Sequence, residues 1–264
     1  MGLLILSGFL SLLFQFGSLS LGIGYGTLLV PILILLGFPP LTVIPAVLFS
    51  QFLGGIVGGL LHHSFGNIRL DFRRERAVRK KLSSLGYIPR SEDSKVILLL
   101  SLLGCVGSLL GVLIALNIPE VALRIYIGAL VLLVGFGIIF GRRWGFSWRR
   151  LFIFGFIASL NKGLSGGGYV PIITGGQIIS GRGVKSSVGS TSIAVSVACL
   201  FGFMGYLFMG RDVNLWLLIS TTTGSVLAAP LAALTTKKME EKRLKFLIGA
   251  VMIVIGAITI IKAF

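Results

Sequence analysis

The stretch SLGIGYGTLLVP, residues 20–31, lies inside a long apolar run and places three glycines, Gly22, Gly24 and Gly26, within five residues ahead of Pro31. A second knot, GLSGGGYVP at 163–171, repeats the design with Gly166, Gly167, Gly168 and Pro171. Each glycine costs a helix roughly 1 kcal/mol relative to alanine. Each stretch therefore predicts a break in a segment otherwise apolar enough to cross a membrane. Irregular backbone at membrane depth is tolerated only where it is buried in protein or lines a cavity. Two breaks of one design in one chain predict one shared interior.

The rest of the chain fits that setting. It has 264 residues, 55% of them hydrophobic and only 12% charged, with a mean hydropathy of +1.00. A soluble domain carries about 25% charged residues. The net charge of +16 does not point to nucleic acid, because most of the basic residues cluster in three linkers. They fall between Arg69 and Lys95, in RRWGFSWRR at 142–150, and between Lys237 and Lys245. Basic linkers between apolar runs mark the cytoplasmic face and sit beside anionic headgroups. Met1 leads directly into GLLILSGFLSLLFQFG without a basic n-region, so the first segment is expected to be retained. Cys105 and Cys199 stand singly in apolar runs and read as core residues. His62 and His63 end a segment and read as interfacial, so neither a metal site nor a cofactor is expected.

Apolar runs cover 2–37 (broken), 39–62, 96–117 and 120–141, then 150–180 (broken), 184–209, 213–235 and 245–263. A broken segment plus three whole helices is used twice. Pro31 aligns with Pro171, and PLTVIPAV (40–47) with KSSVGSTS (185–192). The expected fold class is an all-α polytopic membrane protein of two repeats, 1–141 and 150–264, joined by the basic linker 142–149. If each broken segment crossed once, the basic stretch 236–244 would lie outside. If each enters and returns, as a re-entrant hairpin or two short crossings, linkers 63–95, 142–149 and 236–244 all lie inside and both termini outside. That arithmetic favours the returning segments and makes the repeats inverted in topology, with a site where the breaks meet. Linker 63–95 is expected to form a short basic amphipathic helix on the inner leaflet.

A glycine turn feeding a half-helix directs free amides and the positive end of the helix dipole into the break, and such a site favours anions. Proline suits the first turn of the helix that follows. Lys162 precedes the second knot, where an ammonium costs ~2.5–3.5 kcal/mol at membrane depth, and Gly22 occupies the aligned position in the first repeat. No Asp or Glu lies between Val121 and Arg211 or before Asp71 to pair with it, so an anionic substrate is the expected partner. The bland reading is a lysine that snorkels or binds carbonyls. Ser50 and Gln51, with Ser187, Ser190, Thr191 and Ser192 opposite, add uncharged donors, as do Gln15, Asn161, Ser165 and Gln177 beside the knots. Helix–helix hydrogen bonding is the competing role for each. Missing internal acids disfavour carboxylate-based ion coupling. A cation carrier using backbone carbonyls at the breaks is the alternative. An intramembrane enzyme is a weaker one, for no nucleophile–base pair or carboxylate dyad is visible. GIGYG is not a dinucleotide fingerprint, since it lacks the strand before it and the acid after it.

The glycine knot with its proline, the GFPP turn at 37–40, and the second copy SGGGYVP (165–171) with GVKSSVGSTS (183–192) resemble the TauE/SafE sulfite exporter family over essentially the whole chain. In the first half, GIGYG and VIPAVLFS (43–50) depart from the compact glycine run and the Gly-Thr-Ser pattern. The resemblance implies transport of sulfur-containing anions, such as sulfite, sulfoacetate or other organosulfonates, across the cell membrane, and a negative interior favours export. It also implies a site at Gly22, Gly24, Gly26, Pro31, Gly166, Gly167, Gly168, Pro171, Thr191 and Ser192. Ser50, Gln51, Asn161, Lys162 and Ser165 join that set by their chemistry alone. The expected partners are a small anion and the lipid bilayer, with a homo-oligomer left open.

Overall fold

A computed structural model describes residues 2–74, 87–89, 91–114, 125, 129, 132, 133, 135–140, 147–210, 213–238 and 240–261. The helices are α1 (Gly2–Leu21), α2 (Tyr25–Leu35), α3 (Pro40–Ser64) and α4 (Glu92–Ile114). After them come α5 (Trp148–Ser165), α6 (Tyr169–Ile179), α7 (Val184–Phe208), α8 (Leu215–Lys238) and α9 (Glu241–Ile261). Residues 135–140 are helical as well, and the rest of the expected segment 120–141 lies largely outside the described residues.

Among the described residues, α1, α3, α4, α7 and α8 are long and apolar enough to cross a membrane. A helix of 25 residues such as α3 is ~37 Å long, enough for a hydrocarbon core of ~30 Å. The two helices that follow the knots, α2 and α6, have 11 residues each and reach only ~16 Å, about half the core. Phe9, Leu102, Leu113 and Leu231 are exposed, whereas Ser11, Gln15, Ser50, Gln51, Thr191 and Ser225 are buried. Apolar groups outside and polar groups inside suit a bundle whose solvent is lipid. The chain is an all-α polytopic membrane protein.

Small residues let the helices approach closely, as they do where no hydrophobic force drives helices together. Helix α1 packs on α8, α5 on α4, α3 on α8, α7 on α4, and α3 crosses α7. A Cβ at Gly163 would lie 2.0 Å from the Ser108 carbonyl oxygen, and one at Gly224 would lie 2.1 Å from that of Gly8. Gly54 faces Gln15 and Gly58 faces Leu19, so α1 and α3 run in the same direction. Gly155 faces Leu100 and Gly163 faces Ser108, so α5 runs with α4. Gly202 faces Leu48 and Gly189 faces His62, so α3 and α7 run in opposite directions.

The described ends of the basic linkers lie at one end of this bundle. Lys185 Nζ donates to the Lys237 carbonyl at 2.8 Å, and Lys237 Nζ stands 5.7 Å above the Phe65 ring. At the same end His62, fully buried rather than interfacial, meets the Leu19 carbonyl at 2.9 Å. A carbonyl can only accept, so Nε2 carries the proton and Nδ1 accepts from Asn67 Nδ2 at 2.9 Å. Asn67 also donates to the Ala233 carbonyl at 2.9 Å, tying α1, α3 and α8 together. The amphipathic helix expected in linker 63–95 is not what its described part forms. Phe72–Arg74 (β1) and Tyr87–Pro89 (β2) pair antiparallel, with Arg73 opposite Ile88. Aromatic and β-branched residues ending on a proline suit an extended ribbon better than a helix. Residues 75–86 of that linker lie outside the described residues.

Candidate functional site

Both knots are breaks in the chain's helices. Gly22 (φ +74°) and Gly24 (φ +92°) separate α1 from α2, and Gly166 (φ +68°) and Gly168 (φ +77°) separate α5 from α6. These are left-handed conformations that a residue with a Cβ rarely adopts, so the glycines and not the prolines set the boundaries. Pro171 falls in the first turn of α6 as expected. Pro31 does not: it is the seventh residue of α2, because that helix starts directly after Gly24.

The two breaks touch. A Cβ at Gly26 would lie 1.9 Å from the Gly166 carbonyl oxygen and 3.1 Å from Lys162 Nζ. One at Gly24 would meet Pro171 Cδ at 2.8 Å, and one at Gly22 would meet the Thr174 side chain at 2.7 Å. Gly167 faces Thr27 Cα at 3.0 Å, and the Gly168 N–H donates to Thr27 Oγ1 at 2.9 Å. Backbone lies against backbone here, and no larger residue fits.

Lys162 lies at this contact, 1% exposed. Its ammonium donates to Gln51 Oε1 and to the Gly166 carbonyl, each at 2.5 Å. Cys199 Sγ reaches the same Gln51 oxygen at 3.8 Å. All these partners are neutral, and among the described residues no ion pair of Lys162 occurs. The lysine thus binds a carbonyl, as the bland reading had it, yet it is sealed inside and does not snorkel.

The remaining candidates divide. Ser165 Oγ donates to the Asn161 carbonyl at 3.0 Å and accepts from the Gly167 N–H at 3.3 Å. The amides at the start of α6 were expected to be free, but those of Gly167 and Gly168 are held by hydroxyls. Asn161 is buried with its Nδ2 unpartnered. Ser50 is tied to the site through Tyr25, whose hydroxyl lies 2.7 Å from Ser50 Oγ and 2.8 Å from Ser11 Oγ. Thr191 accepts from Gln177 Nε2 at 2.9 Å, and Ser192 Oγ turns back onto its own helix at the Val188 carbonyl, 2.9 Å away.

Four residues beside the breaks escaped the sequence reading: Thr27 and Thr174 face the opposite break, Tyr25 lies between Gly24 and Gly26, and Tyr169 follows Gly168. A tyrosine opening the helix after Gly24 and again after Gly168 was the available signal. Thr174 Oγ1 and both amide atoms of Gln15 are buried with no hydrogen-bond partner, and orphans of that kind are rare in native interiors. Among the described residues no group of three or more His, Cys, Asp and Glu side chains could hold a metal ion.

Comparison with known proteins agrees with this architecture. The pattern of the family described as Sulfite exporter TauE/SafE matches residues 80–259. The chain is 25% identical to a protein of Bacillus subtilis (strain 168) named "Probable membrane transporter protein YtnM", over 98% of this chain and 83% of that one. No solved structure matches. With two-thirds of its length inside the family's pattern and a helical bundle broken at the expected glycines, the chain belongs to the TauE/SafE sulfite exporter family and is a multi-pass membrane transporter.

Proposed function

We propose that the protein carries sulfur-containing oxyanions, sulfite or organosulfonates such as sulfoacetate, out of the cell, holding them where the two glycine breaks meet. The observation that carries this reading is Lys162, a buried cation whose partners at the break are neutral oxygens. An intramembrane charge normally faces a partner or a pathway, and an oxyanion is the partner it lacks. Unpartnered Thr174 Oγ1 and Asn161 Nδ2, with the hydroxyl of Thr27, supply donors that release an anion more readily than a second cation would. Gly22, Gly24, Gly26, Gly166, Gly167, Gly168 and Pro171 let backbone approach it. Gln51 orients the ammonium, and Ser50 acts through Tyr25. Thr191, Ser192 and Pro31 serve the surrounding frame.

Two inverted repeats, 1–141 and 150–264 joined by 142–149, account for the packing: α1 on α8 mirrors α5 on α4, and α3 runs against α7. The end that gathers the basic linkers is the cytoplasmic one by the positive-inside rule, which leaves both termini outside. The membrane potential, negative inside, then drives anions outward, and no internal carboxylate is needed for coupling. The test is uptake of labelled sulfite, with sulfoacetate in parallel, into proteoliposomes of the purified protein. Saturable uptake, competed by related oxyanions and accelerated by an inside-positive potential, is expected. Uptake of cations instead, or none of either anion, would overturn the reading.

A further inference from the structure

At the end of the bundle that carries the basic linkers, a cavity of about 560 Å³ is lined by Arg69, Glu92, Asp93, Arg182 and Ser186, among others. Arg182, in the loop between α6 and α7, is 5% exposed and occupied on every nitrogen. Its Nε faces Glu92 Oε1 at 3.3 Å. Nη1 reaches Gln177 Oε1 and Ser190 Oγ, the latter at 3.1 Å. Nη2 reaches Ser186 Oγ at 2.9 Å and pairs with Asp93 Oδ1. Burial lowers the pKa of this guanidinium while Asp93 and Glu92 raise it. It stays cationic, since an arginine in a protein is not deprotonated.

The surroundings of Asp93 are those of a bound oxyanion. One carboxylate oxygen accepts from the Arg182 guanidinium and from Ser186 Oγ. The other accepts from the backbone N–H of Arg69 at 2.8 Å. Guanidinium, hydroxyl and backbone amide together form a charge-assisted cradle of the kind that binds carboxylates, sulfonates and phosphates. The cavity beside it gives a free anion room to enter.

Behind Arg182 a polar track leads inward. Gln177 accepts from Arg182 and donates to Thr191 Oγ1. One turn earlier on α6 stands Thr174, its buried hydroxyl unpartnered and 2.9 Å from where a Cβ of Gly22 would be. The track therefore joins the cavity to the contact between the breaks.

We propose that Arg182 is a second anion site at the mouth of the pathway, and that Asp93 occupies it as an internal stand-in which the transported sulfur oxyanion displaces. The Arg182–Asp93 pair is then a latch: closed while Asp93 holds the arginine, opened by the anion that takes its place. The inference rests on the oxyanion reading of the transporter, and its test separates the two.

Sulfite flux from the side bearing the basic linkers is measured for the wild type, Asp93→Asn, Arg182→Gln and the double variant. Asparagine keeps the shape of Asp93 and removes the competing charge, so Asp93→Asn is expected to lower the half-saturating concentration several-fold. Arg182→Gln is expected to raise it roughly tenfold or more, the loss of a charge-assisted hydrogen bond. The double variant, which removes both charges of the Arg182–Asp93 pair, is expected to remain as impaired as Arg182→Gln. A double variant restored to wild-type behaviour would make the pair a structural tie only and overturn the latch. If the wild type moves neither sulfite nor sulfoacetate, the substrate reading fails, and thermal unfolding of the purified proteins with sulfoacetate decides the site by itself. Stabilisation greater in Asp93→Asn than in the wild type and absent in Arg182→Gln supports it. An equal response in all three, or none, overturns it.

Discussion

A methyl group at Gly26 would press to 1.9 Å from the Gly166 carbonyl oxygen, which is backbone and has nowhere to go. Gly26→Ala should therefore separate the two breaks and lower stability by about 1–3 kcal/mol, the usual cost of overpacking, with loss of transport. Gly202→Ala is the control, because its nearest neighbour would be a flexible Leu48 methyl at 3.3 Å. Thermal unfolding and flux of the two variants check the contrast. Thr27→Val keeps the volume but leaves the Gly168 N–H without its acceptor. It should cost about 1–3 kcal/mol, and equal melting temperatures for this variant and the wild type would contradict the contact. At this scale the sequence was legible where chemistry is local. Glycine density marked both breaks, and Lys162 stood out as a cation in apolar company. Thr27 and Thr174 were not legible, because a threonine gains meaning here only from the opposite break, about 140 residues away in the chain.

Helix pairs carry the next level of the account. A Cβ at Gly163 would lie 2.0 Å from the Ser108 carbonyl, so α5 and α4 meet backbone to backbone at the start of the second knot. Gly163→Ala should push α5 outward and shift Lys162, one residue away, off Gln51. A large drop in melting temperature together with lost flux is the expected result. At the opposite end, His62 joins α3 to α1 and, through Asn67, to α8. His62→Ala leaves the Leu19 carbonyl and the Asn67 amide short of partners and should lower stability by about 1–3 kcal/mol, whereas flux per folded protein should change less than for Gly26→Ala. Segment positions were readable from hydropathy to within a few residues for α3, α7 and α8. The start of α2 was not, because a proline was credited with a boundary that Gly24 sets. The ribbon of β1 and β2 was missed because basic residues crowd the linker and masked its short extended stretches.

Across the whole molecule, the described ends of basic linkers far apart in sequence lie at one end, and two knots far apart in sequence meet inside. Hydropathy made the membrane-length segments legible, and glycine density the two breaks. The Arg182–Asp93 pair was not, for it joins residues from different halves of the chain and neither lies in a recognisable motif. The central claim is that the contact between the breaks holds an anion through Lys162. It is tested most directly by sulfite flux in proteoliposomes carrying Lys162→Met, which keeps the apolar stem and removes the charge. The account predicts a folded protein whose saturable flux falls roughly tenfold or more, as expected for loss of a charge-assisted contact. Wild-type flux and half-saturation in that variant would contradict it and place the anion elsewhere in the bundle.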